Sequence, residues 1–157
     1  MLRKLVSSDA PAICRIYAEG SVTYLGRPAM TGPEAERYVA RWSVWPGADP
    51  AGQYALGAEV DGELIGVVRL RQVSPRCGRV GYVFREDRWG QGHATRAVQE
   101  LVGFAFTTLG LTSLGGRHHP ANLASGRVLA KAGFTRTGVL NGMVEYERTW
   151  APITAVR

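Results

Sequence analysis

Cysteine is scarce: Cys14 and Cys77 are the only two in 157 residues, and they form no CxxC pair. Two cysteines cannot build the dense disulfide framework of a small secreted scaffold. Three histidines leave a zinc site few ligands to draw on, so no metal is expected. No apolar run reaches the ~18 residues of a spanning helix. The opening MLRKLVSSDAPAI also lacks the continuous apolar segment of a secretory leader. A soluble, cytoplasmic protein without a membrane partner is the expectation.

Acidic residues are the minority charge, 13 Asp and Glu against 19 Lys and Arg, for a formal +6; 17 of the basic residues are arginine. Such an excess suits a polyanion, an acidic protein surface or a phosphate-rich cofactor, because the summed field draws in negative partners. The densest stretch, from Arg69 through Arg71, Arg76, Arg79 and Arg85 to Arg88, is broken by hydrophobic residues. It reads as a mixed or solvated sheet face. No nucleic-acid motif or compact aromatic-basic platform is present, so direct nucleic-acid reading is not expected.

What remains is a globular profile, 45% hydrophobic and 20% charged, of a length that suits one domain over residues 1–157. Pro11 and Pro33 each fall in the first turn of an expected helix. Ile13, Ile16 and Tyr17 form an apolar stripe in residues 10–19, with Gly20 permitting an exit. Ala35, Tyr38, Val39 and Trp42 form the second stripe. Strands are expected over 54–60 and 63–71, joined by Asp61-Gly62, and near 78–85. The longest helix runs from about Gly92 to Thr108, its core face marked by Ala97, Val98, Leu101, Val102 and Ala105. A strand at 111–118, a helix at 122–132 and a hairpin about Asn141-Gly142 complete an α/β order with antiparallel strands at both ends.

The segment YVFREDRWGQGHAT, Tyr82 to Thr95, takes a strand through a glycine turn directly into that longest helix. The first N–H groups of a helix lack internal partners, and the helix dipole favours negative charge beside them, so such a turn can hold phosphate. Gly90 and Gly92 would let a ligand approach the backbone closely. The spacing is neither GxxxxGK[ST] nor GxGxxG, which weakens nucleoside-triphosphate and dinucleotide readings. A tight turn needs glycine for ordinary reasons as well. The second block, NLASGRVLAKAGF, has Asn122 as a helix cap and Ser125 one turn inside on the same edge.

Together the blocks resemble the GNAT superfamily of acyl-coenzyme A transferases, and more closely its RimJ- and RimL-type branch. The first signature matches at Trp89-Gly-Gln-Gly-His-Ala94, and the second at Asn122, Ser125, Leu129, Lys131, Gly133 and Phe134. The chain departs from the branch at Arg96 and Thr137, where many relatives have glutamate. The resemblance implies a GNAT-like fold, a mixed central sheet flanked by helices. It implies transfer of an acetyl group from acetyl-coenzyme A to a primary amine without a metal. A protein or peptide α-amine, in some cases ribosome-associated, is the favoured acceptor; a polyamine, an amino metabolite or a non-catalytic acyl-coenzyme A-binding role are the alternatives. Monomer and homodimer are both open.

The same resemblance implies that pyrophosphate lies on the amides of Trp89, Gly90, Gln91, Gly92, His93, Ala94 and Thr95. The pantetheine arm would run beside Val83 and Phe84, with Asn122 contacting it. Ser125 would sit near the sulfur as a general acid, and Glu145 matches the position of a glutamate proposed as base in RimL-type enzymes. Glu59, on an early strand, is the other candidate base. Asn122 and Ser125 can equally serve local capping and backbone bonding, and each glutamate an ordinary solvated or ion-paired role. His93, His118 and His119 are expected at the cofactor edge as polar or partly packed residues.

Overall fold

The computed structural model describes residues 1–151. Strand β1 (Leu2–Arg3) leads through a 3-10 turn (Ser7–Asp9) to helices α1 (Ala10–Ile16), α2 (Glu19–Val22) and α3 (Gly32–Ser43). Strands β2 (Gln53–Val60), β3 (Glu63–Gln72) and β4 (Cys77–Phe84) form a meander, followed by α4 (His93–Thr107). Strand β5 (Ser113–His118), helix α5 (Leu123–Lys131) and the hairpin β6 (Thr135–Leu140) and β7 (Met143–Thr149) follow. The mixed sheet runs β1-β2-β3-β4-β5-β7-β6, with β4 and β5 as its parallel neighbours.

Both hairpins form for the reason their dipeptides suggest. Asp61 and Gly62 have φ of 51° and 77°, and Asn141 and Gly142 have the same pair of values. Two successive positive φ values match the right-handed twist of the flanking strands, and Asp-Gly and Asn-Gly tolerate them best. Helix α3 opens on a box the proline signal did not reveal: Thr31 Oγ1 accepts from the Glu34 N–H at 3.3 Å, and Glu34 Oε1 accepts from the Thr31 N–H at 3.4 Å.

The first helix is shorter than its stripe suggests. It stops at Ile16, and Gly20 lies inside α2 instead of ending the helix. The break lets the Tyr17 carbonyl accept from the Met30 N–H at 2.9 Å while the Tyr17 ring packs 5.6 Å from that of Tyr38. A side chain at Gly20 would meet the carboxylate of the exposed, flexible Glu86.

Two cores flank the sheet. Ala97, Val98, Leu101, Val102 and Ala105 of α4 are buried with Val80 and Phe84 of β4, whereas Val83 packs toward the α1 and α3 side with Ile13, Ile16 and Val39. This alternation along β4 presents one strand to both sides of the sheet, which matters at the opening beside it.

Candidate active site

The opening is a split in the sheet. β4 and β5 pair only at Cys77–Arg79 with Ser113–Gly115, and beyond them the parallel strands diverge. The Val73 N–H donates to the Cys77 carbonyl and the Arg85 N–H to the Ile65 carbonyl, both at 2.9 Å. Odd-numbered residues of β4 therefore bond toward β3, and the backbone groups of Tyr82 and Phe84 face the split. Val83, whose backbone bonds toward β3, also lines the groove. Trp89 Nε1 donates to the Phe84 carbonyl at 2.9 Å, which ties the glycine turn to the strand end.

That turn has the conformation glycine allows. Gly90 and Gly92 have φ of +75° and +81°, and Gly92 caps α4 with no side chain bonding its first amides. The first intrahelical bond at this end is from the Arg96 N–H to the Gly92 carbonyl at 3.1 Å, so the N–H groups of His93, Ala94 and Thr95 have no partner within the helix. No acidic residue occupies the first turn. A Cβ on Gly90 or Gly92 would meet nothing within 4 Å, so the space before these amides is open.

The groove there is a cavity of about 460 Å³. Nine of the ten residues implicated in cofactor binding line it: Val83, Phe84, Trp89, Gly90, Gly92, His93, Ala94, Thr95 and Asn122. Gln91 is the exception; its Oε1 lies 3.1 Å from His93 Nε2. His93 is buried, and burial, reinforced by the charges of Arg96 and Arg88, holds its pKa below the ordinary imidazole value. Arg88, Arg117, Arg127 and Lys131 line the same cavity, and no Asp or Glu does. The buried Nε of Arg88 has no partner among the described residues. Bare helix amides and the orphaned Nε–H of Arg88, whose Nη2 is paired with Glu63 at 3.3 Å, form with Arg127 and Lys131 a donor set that fits a diphosphate, and coenzyme A carries one.

Asn122 and Ser125 perform their local roles and also face the groove. Asn122 Oδ1 accepts from the Ser125 N–H at 3.2 Å, which caps α5. Tyr82, which the sequence did not single out, lies across from Ser125: its hydroxyl donates to the Ser125 carbonyl at 2.9 Å and lies 2.8 Å from Ser125 Oγ. Burial pushes the Tyr82 phenol up to about 12, so it stays protonated at neutral pH. Its only sequence signal was a tyrosine on the strand just before the glycine turn.

The two candidate glutamates do not join this group. The Glu145 carboxylate accepts from Arg79 Nη2 at 2.8 Å, and Glu59 accepts from Arg3 Nε at 3.0 Å on a strand separated from β4 by β3. Neither lines the cavity. His118 and His119 do. His118 Nδ1 must donate to the His119 carbonyl, 2.7 Å away, which leaves Nε2 as the lone-pair nitrogen of the neutral ring. His119 stacks on Tyr24 at 5.0 Å. Among the described residues no cluster of His, Cys, Asp and Glu could hold a metal ion, and no helix is long and apolar enough to cross a membrane.

A sequence profile of the acetyltransferase (GNAT) domain matches residues 1–135. The N-acetyltransferase p20 of Bacillus licheniformis is 26% identical over 151 residues, covering 94% of this chain and 83% of its own. A GNAT-family acetyltransferase from Bacillus anthracis superposes with a TM-score of 0.80 at 18% identity, covering 94% of this chain and 93% of that one. The aminoglycoside acetyltransferase AAC(6')-Ib, solved with coenzyme A, gives 0.78 at 20% identity over 95% and 94% of the two chains. With the divided sheet, the uncapped α4 amides and the cationic groove in place, the chain belongs to the GNAT acetyltransferase family and is an acetyl-coenzyme A-dependent N-acetyltransferase.

Proposed function

We propose that this chain, acting as one domain, acetylates the α-amine of a protein or peptide, as in the RimJ- and RimL-type branch. The supporting observation is the exposed Arg117 on β5, a groove cation outside the glycine turn and α5, with no Asp or Glu in the lining. A polyamine or aminoglycoside would bring several positive charges to a lining that holds Arg117 and no carboxylate. An α-amine brings one ionisable nitrogen, and it has an ordinary pKa of about 8, so a neutral fraction exists at physiological pH. Trp89 at the head of the glycine turn and Ser125 on α5 further support the branch assignment.

In this reading the amine nitrogen attacks the thioester carbonyl carbon, the C–S bond breaks, and Ser125 Oγ supplies a proton to the departing sulfur. Positioning does much of the work, since the donor is held by α4 amides and the open edge of β4 while the acceptor enters beside it. The excess amine proton leaves to water or to an imidazole of the groove, and a solvent proton restores Ser125 Oγ.

An acceptor screen tests the proposal. Acetyl-coenzyme A is incubated with N-terminal peptides, spermidine and an aminoglycoside at low and high salt, following thiol release and product mass. Peptide products heavier by one acetyl group are expected. Preference for spermidine at low salt would move the assignment to polyamines, and coenzyme A binding without transfer to any amine would oppose the peptide reading.

A further inference from the structure

The groove lining has two parts of different character. Beside α4 and α5 lie the glycine turn, Arg88, Arg127 and Lys131. Elsewhere in the lining are Tyr24 and Leu25, which follow α2, with His119 stacked on Tyr24, together with Met143 and Arg117. A donor bound on the α4 amides covers the first part, which leaves the second to the amine. That part combines apolar side chains with one exposed guanidinium.

Arg117 is uncompensated for a definite reason. Leu114 and His118 of β5 are buried on the α4 and α5 side, so Arg117 projects from the opposite face of the strand. Arg79 occupies that face too, since a Cβ on Gly115 would meet its Nη1 at 2.8 Å. Glu145 lies directly opposite Arg117 in the β5–β7 register, yet its Oε2 is bonded to Arg79 at 2.8 Å. One carboxylate thus serves the first arginine, and Arg117 makes no hydrogen bond or ion pair among the described residues.

We propose that Arg117 is the specificity-determining anchor for a carboxylate on the acceptor, so that the preferred substrate is an amine with an acidic group close to the reacting nitrogen, as in a peptide with Asp or Glu next to its first residue. The inference rests on the peptide reading above. An arginine fork donates two parallel hydrogen bonds to a carboxylate, and the side chains of Tyr24, Leu25 and Met143 line the same groove. The anchor also positions the amine, because a carboxylate held at one point limits where the nitrogen can lie.

The test compares peptides identical except for Asp, Asn or Lys at the second residue, together with an amino acid and its amide. Each is assayed as acceptor with wild type, R117Q and R117K. Wild type is expected to favour the Asp peptide over the Asn peptide by about tenfold or more in kcat/KM. R117Q should abolish that ratio without changing coenzyme A affinity, and R117K should keep part of it. Equal rates for Asp and Asn peptides in wild type, or a ratio that survives R117Q, would overturn the anchor while leaving peptide acetylation intact. Loss of coenzyme A affinity in R117Q would also overturn it, by assigning the arginine to the donor. If the amino acid is acetylated in preference to its amide while no peptide reacts, the anchor stands and the peptide reading fails. Calorimetric titration of the same acid and amide pairs into coenzyme A-loaded protein reads the anchor without turnover, and equal affinities there would sink it.

Discussion

The hydroxyl of Tyr82 lies 2.9 Å from the carbonyl oxygen of Ser125 and 2.8 Å from its Oγ. A phenol has one proton. While Tyr82 donates to the carbonyl, Ser125 Oγ must donate to Tyr82, and its proton is unavailable to a leaving sulfur. Rotation of the Tyr82 proton onto Oγ reverses this and frees the serine proton for the groove. Tyr82 therefore orients the Ser125 hydroxyl and ties α5 to β4 across the split.

This pairing makes two variants interdependent. S125A should lower kcat by roughly ten- to a hundredfold with little change in KM for acetyl-coenzyme A, within the range open to general acid catalysis. Y82F should do the same to a smaller extent, and the double variant should be no slower than S125A, because residues acting as a unit are not additive. Multiplicative losses in steady-state kinetics would separate the two side chains.

Gly92 caps α4 at φ +81° with open space before it. Gly92→Val would strain the turn by about 1–3 kcal/mol and place a side chain near the His93, Ala94 and Thr95 amides. Coenzyme A affinity should fall tenfold or more by calorimetry, with near-native circular dichroism. An unchanged Kd in a folded protein would remove the diphosphate from this turn.

Glu145 is engaged by Arg79 and lies outside the cavity lining. E145Q should destabilise the fold by about 1 kcal/mol or less, since the pair is partly exposed, and should leave the acidic limb of the kcat/KM–pH profile in place. Movement of that limb in E145Q would return the glutamate to the proton path.

Asp9 is a structural carboxylate whose contribution depends on pH. Its oxygens accept from Arg3 at 2.8 and 2.9 Å and from the Val6 N–H at 2.8 Å; the Arg3 bond chiefly holds its pKa below the usual carboxylate value, against the opposing effect of burial. A depressed folded pKa gives stability that is present above the ordinary value of about 3.9 and lost as pH falls through the lower, folded value. D9N should be less stable than wild type by about 1–2 kcal/mol at pH 7 in urea denaturation, discounted for the partial exposure of Arg3, and the gap should narrow below pH 4. A gap independent of pH would assign the loss to packing alone.

The features that the sequence alone determined depend on a few neighbouring residues. Asp61-Gly62 and Asn141-Gly142 placed two hairpins, the stripe from Ala97 to Ala105 placed α4, and Gly90 and Gly92 marked the turn before it, because turn chemistry and side-chain period act over one or two turns of chain. Only the tertiary structure decided which side chains share the site. Tyr82 reaches Ser125 across 43 residues, and Arg79 takes up Glu145 across 66, through the way β4, β5 and β7 align and then separate. Register and divergence of distant strands set those distances, and no local pattern carries them. Hence the glycine turn before α4 was legible from the chain, while the ion pair of Glu145 with Arg79 and the unpaired Arg117 were not.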